Sequence, residues 1–333
     1  MTSNRRLVAF ALAPTLAFAI AAQAGASPAA PTAPAKATAT AAQPAAPAAP
    51  AKTAATAVQP AAAAKTTATP AQTAPSTTVA TPYDAVIAGA WRDLKNVARD
   101  KYRHPKETLA FFGVKPDQML IEISPGGGWY TEILAPLERD HGHYAAAVSN
   151  PATAKDPRRQ AEYQRDINLL NTKHDAHPEV YDKAEMRKID TPSTPVFGPP
   201  GSADVVLTFR NVHNWVGAGT QAAMFKAFFD VLKPGGVLGV TDHRAKPGPA
   251  TDGRSGYVTE QQVIDYATAA GFVLDGKSEI NANPNDTKDY PHGVWTLPPT
   301  LSQGDHNLGS YLKIGESDRM TLRFSRPRVE AKK

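Results

Sequence analysis

Three short runs of residues have the types and spacing to do chemistry. The first is Glu122-Ile-Ser-Pro-Gly-Gly-Gly-Trp-Tyr130. Glycines there let the backbone approach a ligand, and a helix starting just after them offers unpaired N–H donors. The run lacks the G-x-G-x-x-G spacing of a dinucleotide fold, and the acid about twenty residues later, so it reads poorly as an oxidoreductase site. It also lacks the Gly-Lys-Ser/Thr of a P-loop. A tight structural turn is the plainer alternative. The second run is Arg210-Asn-Val-His-Asn-Trp215. His213 is of the type that takes a proton from a hydroxyl or amine near neutral pH. Trp215 offers a face for stacking, and Asn214 a polar contact. Equally, His213 and Asn214 can simply close off a strand end. The third run is Asp242-His243-Arg244. An aspartate near a histidine can orient the imidazole, and Arg244 can pair with an anionic substrate group. Side chains alternate along an extended chain, so Asp242 and His243 need not meet. A surface salt-bridge cluster is the competing reading.

Metal and thiol chemistry have little support in the sequence. The 333 residues include nine His and no Cys, which excludes a disulfide scaffold, a Cys-ligated metal centre and a cysteine nucleophile. His141-x-His143 and His174-x-x-His177 are close pairs, but they sit in loop-like contexts without supporting ligands. No metal is expected.

Positioning these runs requires elements, and the chain supplies them from Tyr83 to Pro327. Val86, Ile87, Ala90, Trp91, Leu94 and Val97 recur at helical spacing. Pro105 opens a second helix that Gly113 closes. Met119–Ile123 is a short apolar strand, the glycine run follows it, and a helix covers Tyr130 to Leu137. Tyr144–Val148 and Met186–Ile189 read as strands, with a polar amphipathic helix over Arg159–Leu170. Ala203–Phe209 is a buried strand, Gln221–Leu232 a helix with Met224, Phe225, Phe228 and Leu232 on one face, and Val237–Thr241 the next strand. Thr259 and Gln262 form a capping box, and Gly271 ends that helix. Phe272–Ile280 and Met320–Ser325 are strands with no long helix between them. Strands alternating with helices predict a mostly parallel sheet covered on both faces, and the last pair predicts one antiparallel strand near an edge. Residues 281–310, rich in Asn, Asp, Pro and Gly, are expected to form a lid or substrate-recognition segment.

The N-terminal region has a different character. The chain carries a formal charge of +5 and a pI near 9.2. Residues 1–82 hold Arg5, Arg6, Lys36, Lys52 and Lys65 and no acid, so the basicity lies there and the body is neutral. A nucleic-acid partner is therefore not expected. Arg5 and Arg6 precede an apolar run from Leu7 to Ala22, and Ala22-Gln23-Ala24 has the form of a cleavage site. Residues 1–26 are read as a signal peptide, with an uncleaved anchor as the one route to a membrane. Asn4-Arg5-Arg6-Leu7-Val8 is a weak twin-arginine lookalike. Residues 27–82 are almost entirely Ala, Pro, Thr, Lys and Gln, with ten prolines and no aromatic residue, a composition that cannot offset the entropy of ordering. They are read as a disordered linker, residues 83–327 as one domain, and 328–333 as a basic tail. The expected location is exported, in the periplasm or cell envelope.

The motifs also carry a resemblance. Acid-x-x-Pro-Gly-x-Gly after the first strand is similar to the S-adenosylmethionine loop of class I methyltransferases. Ala203–Phe209 with Leu232-Lys-Pro-Gly-Gly-Val237 is similar to their fourth and fifth strands. Tyr102-Arg-His-Pro105, Phe209-Arg-Asn-Val-His-Asn-Trp215, Asp242-His-Arg244, Asn281-Ala-Asn-Pro284 and Gly293-Val-Trp-Thr-Leu-Pro-Pro299 resemble a bacterial family of exported class I methyltransferases with no firm substrate. The likeness spans essentially all of 83–327. It implies a Rossmann-like fold with a seven-stranded, mostly parallel sheet, one antiparallel strand and helices on both faces. It also implies S-adenosylmethionine as cofactor and a small or medium molecule as substrate. By position, Glu122, Ser124, Pro125, Gly126, Gly127 and Gly128, with Asp190, Arg210 and Asn211, make up the implied cofactor side. His213, His243 and Asp242 are the implied catalytic groups, and Asn214, Trp215 and Arg244 the substrate contacts. One departure stands out. The acid usual at the end of the second strand is replaced by Ser149-Asn150, which leaves open a non-catalytic ligand-binding module built on the same fold.

Overall fold

The computed structural model describes residues 81–190 and 194–328. The signal-peptide and linker assignments, and most of the basic tail, lie outside these residues. The seven strands are β1 Met119–Ile123, β2 His143–Ser149, β3 Glu185–Ile189, β4 Ala203–Phe209, β5 Leu232–His243, β6 Val273–Ser278 and β7 Arg319–Ser325. They form one sheet in the order β3-β2-β1-β4-β5-β7-β6. β1 pairs in parallel with β2 and β4, β2 with β3, and β4 with β5. β7 runs antiparallel to both β5 and β6. Six strands therefore point one way and β7 the other, which is the Rossmann-like methyltransferase arrangement.

Alternation within the strands divides the core into two layers. Leu120 on β1 and Val205, Leu207 and Phe209 on β4 pack on one face, against Leu109, Phe112, Ile133 and Leu134. Ile121, Ile123, Val206, Leu238 and Val240 pack on the other, against Phe225, Phe228 and Val263. The first face is covered by α4 Pro105–Phe112, α5 Thr131–Glu138 and α6 Pro157–Ala176, and the second by α9 Gln221–Val231 and α10 Glu260–Ala269. β4 is almost wholly buried, as befits a central parallel strand. β3 and β6 are the edges, and alternating exposure, charged residues and irregular register at Leu274/Gly276 blunt β6.

Several boundaries differ from the sequence expectation. The apolar periodicity over 86–97 is not one helix. The chain forms α1 Pro82–Ile87, α2 Leu94–Val97 and α3 Asp100–Arg103 instead. A Cβ on Gly89 would lie 2.3 Å from the Trp91 ring, so the indole folds back over the glycine and the helix ends there. Leu94 is left 83% exposed. α6 is twenty residues long, well beyond the expected Arg159–Leu170. Two short helices, α7 Pro178–Tyr181 and α8 Val212–Ala218, had no periodic signal. Thr259 accepts from Gln262 N as a cap, but the Gln262 side chain turns to Thr251 and Tyr266 rather than back to the cap. Residues 281–310 carry little regular structure before α11 Leu308–Ile314. No helix among the described residues is long and apolar enough to cross a membrane.

Candidate functional site

The strand order reverses between β1 and β4, and their carboxyl ends open into a cavity of about 1060 Å³. That is where ligands sit in open α/β sheets, and the volume is at the upper end for small-molecule sites, roughly 300–1,000 Å³. The glycine run forms one wall. Ser124 and Gly126 adopt left-handed backbone conformations (φ 49° and 57°), which turn the chain sharply out of β1. The Ser124 N–H donates to the Ala147 carbonyl at 2.9 Å, fixing the turn to β2. A Cβ built on Gly126 or Gly127 meets nothing within 4 Å, whereas one on Gly128 would meet Leu170 of α6 at 2.9 Å. Gly126 and Gly127 thus border open cavity, while Gly128 allows helix packing.

Glu122 stands behind this wall, 2% exposed. Tyr144 Oη and Thr131 Oγ1 donate to its Oε2 at 2.6 and 2.9 Å. Burial raises its carboxyl to about 7, against the opposing effect of those two hydrogen bonds. At the end of β2, Asn150 Nδ2 donates to Asp190 Oδ1 at 2.7 Å. Ser149 lines the cavity, but neither Asn150 nor Asp190 does. The cavity lining also takes polar groups from the start of α6, including its N-cap Asp156, Arg159 and Glu162. They carried no signal in the sequence, because the polar face of this helix reads as ordinary solvated surface.

The opposite wall comes from β4, β5 and the segment after β6. Asn211 Nδ2 donates to the Ile123 carbonyl at 2.9 Å and to Thr208 Oγ1 at 3.2 Å, strapping β4 to β1 at the reversal point. α8 then carries His213 and Trp215. His213 Nδ1 pairs with Asp242 Oδ1 at 2.9 Å, and the His213 backbone N–H donates to Asp242 Oδ2 at 3.2 Å. The aspartate therefore pairs with the imidazole across the β4–β5 step, while from its neighbour His243 it accepts only the backbone N–H. With Nδ1–H donated to the carboxylate, the free lone pair of His213 is on Nε2. The His243 ring lies 5.3 Å from that of His213 and its Nδ1 pairs with Ser317 Oγ. Burial, then the charges of His213, Arg210, Arg319 and Arg103, hold the His243 pKa well below its usual value, so this imidazole is neutral.

Not every expected residue joins the site. Trp215 is buried against Phe228 and Phe225, with centroids 5.4 and 6.4 Å away, and presents only part of its surface to the cavity. Trp295, partly exposed and 6.0 Å from His213 by ring centroid, is the better placed indole. Asn214 is exposed at the rim. Arg244 does not line the cavity. Its guanidinium is held by Asp318 at 2.9–3.0 Å and by Glu279 at 2.7–2.8 Å, and those pairings raise its pKa. The assignment of Arg244 to a substrate anion is corrected on that ground: its charge is already balanced.

His213, Asp242 and His243 also bring metal-ligating atoms within 4.8 Å of one another. Two histidines and a carboxylate suit a divalent ion. Here Asp242 already accepts from His213 Nδ1 and from the backbone N–H groups of His213 and His243. The guanidiniums that depress His243 would repel a cation in the same way. The pairs His141–His143 and His174–His177 are engaged elsewhere, His143 with Glu185 and His177 with Glu179.

No protein-family model matches the sequence, and no curated protein matches it. Solved structures resemble the chain at low identity. A SAM-dependent methyltransferase from Aquifex aeolicus is 14% identical with a TM-score of 0.45, covering 69% of this chain and 93% of that one. A sarcosine dimethylglycine methyltransferase from Galdieria sulphuraria, so described provisionally, is 13% identical with a TM-score of 0.45, covering 71% and 88%. The [4+2]-cyclase SpnF is 13% identical with a TM-score of 0.46, covering 68% and 81%. These likenesses are too distant to bear on activity.

Proposed function

We propose that the domain binds S-adenosylmethionine and a small or medium acceptor in the large cavity and transfers a methyl group between them. The observation that carries this reading is the cavity itself, set over the β1/β4 reversal with open glycine backbone on one side and the His213–Asp242 pair on the other. The cofactor fits the first wall: Gly126 and Gly127 leave free the space that any side chain would fill. Glu122, Ser124–Gly128 and Asn211 would hold it, with Ser149 and the start of α6 toward the β2 end. When bound, it supplies an electrophilic methyl group. His213 Nε2 is the base for the acceptor's proton, and Asp242 stabilises the imidazolium that results. Alignment of the two reactants contributes most to such a transfer, and the fixed strand ends provide it.

The motifs that resemble exported methyltransferases and the composition of residues 1–82 support a location in the cell envelope. A second reading is a periplasmic ligand-binding module without catalysis. It is favoured by the β2 end, where Asn150 and Asp190 pair with each other outside the cavity. Equilibrium binding to the purified protein separates the two. Binding of S-adenosylmethionine below millimolar concentration, weakened by Gly126→Val with Gly127→Val, is expected. No binding at millimolar cofactor would overturn methyl transfer and leave the binding module.

A further inference from the structure

One concentration of charge in the molecule is not used by the histidines. Arg99 just before α3, Arg103 at its end, Arg210 just after β4 and Arg319 of β7 gather about one buried carboxylate, Glu316. Arg99 Nε, Arg319 Nη1 and Arg103 Nε lie 2.6, 2.8 and 3.2 Å from it. Burial opposes ionisation of Glu316, but Arg103, Arg319, Arg99 and Arg210 together outweigh it and hold its carboxyl at about 2. Asp242 is the other carboxylate whose field reaches Arg210. Four guanidiniums thus face two carboxylates, one of them committed to His213.

The excess has a location. A void of about 10 Å³ lies among Arg103, Arg210, Arg319, Thr241 and Asn281, with the rings of Tyr130 and Phe209 completing its wall. Of these lining residues, Arg103 Nη2, Arg210 Nε and Arg319 Nε are buried without a partner, as are Thr241 Oγ1 and Asn281 Oδ1. Arg103 and Arg319 are each only 3% exposed. The residues around this space therefore carry three unpaired N–H donors and two hydroxyls, of Thr241 and Tyr130, with the Asn281 carbonyl as the one fixed acceptor. On the order of 10–15 Å³ holds a single water-sized atom. A water has two lone pairs for the three N–H groups and brings no charge, so it leaves the guanidiniums uncompensated. Arg210 also holds a left-handed backbone (φ 64°), fixed by its N–H donating to the Thr241 carbonyl at 2.7 Å. Arg103, Arg210, Tyr130 and Phe209 line the large cavity as well, so the void adjoins the space a ligand would fill.

We propose that this void is an oxyanion subsite: one oxygen of a carboxylate or phosphate group enters between Arg103, Arg210 and Arg319, and the rest of the group faces the cavity. The three glycines do not line it, although Tyr130, which closes their run, does. Its other polar groups come from Arg103 of α3, Arg210 after β4, Thr241 of β5, Asn281 after β6 and Arg319 of β7, mostly the side that holds His213 and Asp242. The anion is therefore assigned to the acceptor, an assignment that rests on the methyl-transfer reading; the subsite itself does not. Bidentate and charge-assisted contacts to guanidinium suit such a group.

The test is thermal unfolding of the full chain, titrated separately with acetate and with inorganic phosphate at an ionic strength held constant with potassium chloride. A saturable rise in Tm on the order of 2–5 °C is expected with one of them, and which one identifies the anion as carboxylate or phosphate. Arg210→Met should lose that response while its Tm without anion is unchanged or higher, because an uncompensated charge has gone. No saturable rise with either anion, or the same rise in R210M, would overturn the subsite. The titration is repeated with saturating S-adenosylhomocysteine. A response that persists supports the acceptor as the anion's carrier, and one that disappears overturns that assignment. Failure of S-adenosylhomocysteine to bind counts against methyl transfer alone, since the titrations without it still decide the subsite.

Discussion

Glu122 shows how burial changes what a residue can do. Its position near the end of an apolar strand and before the glycines was legible in the sequence, but its state was not, because that depends on Tyr144 and Thr131 closing over it. Its carboxyl is raised to about 7 from an ordinary 4.5, so the folded protein holds this proton more tightly than the unfolded chain does. Stability therefore falls as pH rises from about 4.5 to about 7, and the full cost is present above 7. Glu122→Gln keeps an acceptor for both hydroxyls and removes the titration. Relative to the parent, E122Q should gain on the order of 3 kcal/mol between pH 4 and pH 8. Urea unfolding at several pH values measures this, and a pH-independent difference would refute it. The His213–Asp242 pair was half legible. The residue types and strand ends suggested it, while the short helix α8 that turns His213 toward Asp242 had no pattern to announce it. The oxyanion cluster was invisible, because Arg103, Arg210 and Arg319 are about a hundred residues apart and no spacing links them.

Elements with strong patterns came through with the right ends. β1 and β4 run over the residues their apolar runs indicate, and Gly113 stops α4 as expected. The failures share a cause: tertiary contacts overrode a periodic signal or created order without one. Trp91 over Gly89 broke the first helix, and the cavity wall at the start of α6 reads as plain polar surface. Gly239 is a case where the reason for a residue lies wholly in an element crossing. A Cβ there would come within 2.6 Å of Leu207 and 2.8 Å of the Phe112 ring, because α4 rests directly on β5 at this point. Gly239→Ala should cost about 1–3 kcal/mol through overpacking. A lower urea midpoint with an unchanged m-value is the expected result. Adding Phe112→Leu should recover part of the loss, since the two sites are in contact. An additive double variant would mean that the strain arises elsewhere.

At the scale of the whole molecule, four consecutive residues join parts of the chain that the sheet alone leaves separate. Glu316 binds Arg99 and Arg103 of the lead-in helices, and Ser317 pairs with His243 at the end of β5. Asp318 accepts from Arg244 and from the Asn283 N–H at 2.9 Å, and Lys288 Nζ lies 2.6 Å away. Arg319 then starts β7, the strand that reverses direction between β5 and β6. The lead-in, the segment after β6 and the floor of the cavity are therefore coupled through one short stretch. Asp318 is its centre, with a side chain 4% exposed. Burial disfavours its charge, yet hydrogen bonds from Arg244 and Lys288 prevail and lower its pKa below the ordinary 3.8. A depressed carboxylate contributes stability above its unfolded pKa and loses it as pH falls through the folded one. Asp318→Ala strands Lys288 and half of Arg244's contacts, and should cost about 3–5 kcal/mol at pH 7. The deficit should be constant from pH 5 to 7 and shrink below about pH 4, where the unfolded chain takes up its proton, until the folded carboxylate is protonated at its lower pKa. Hydrogen exchange gives a second readout: loss of protection in D318A should spread to residues 281–290 and 94–103 together. Protection lost in only one of these segments would show that Glu316 and Asp318 act independently and that the junction is not a single unit.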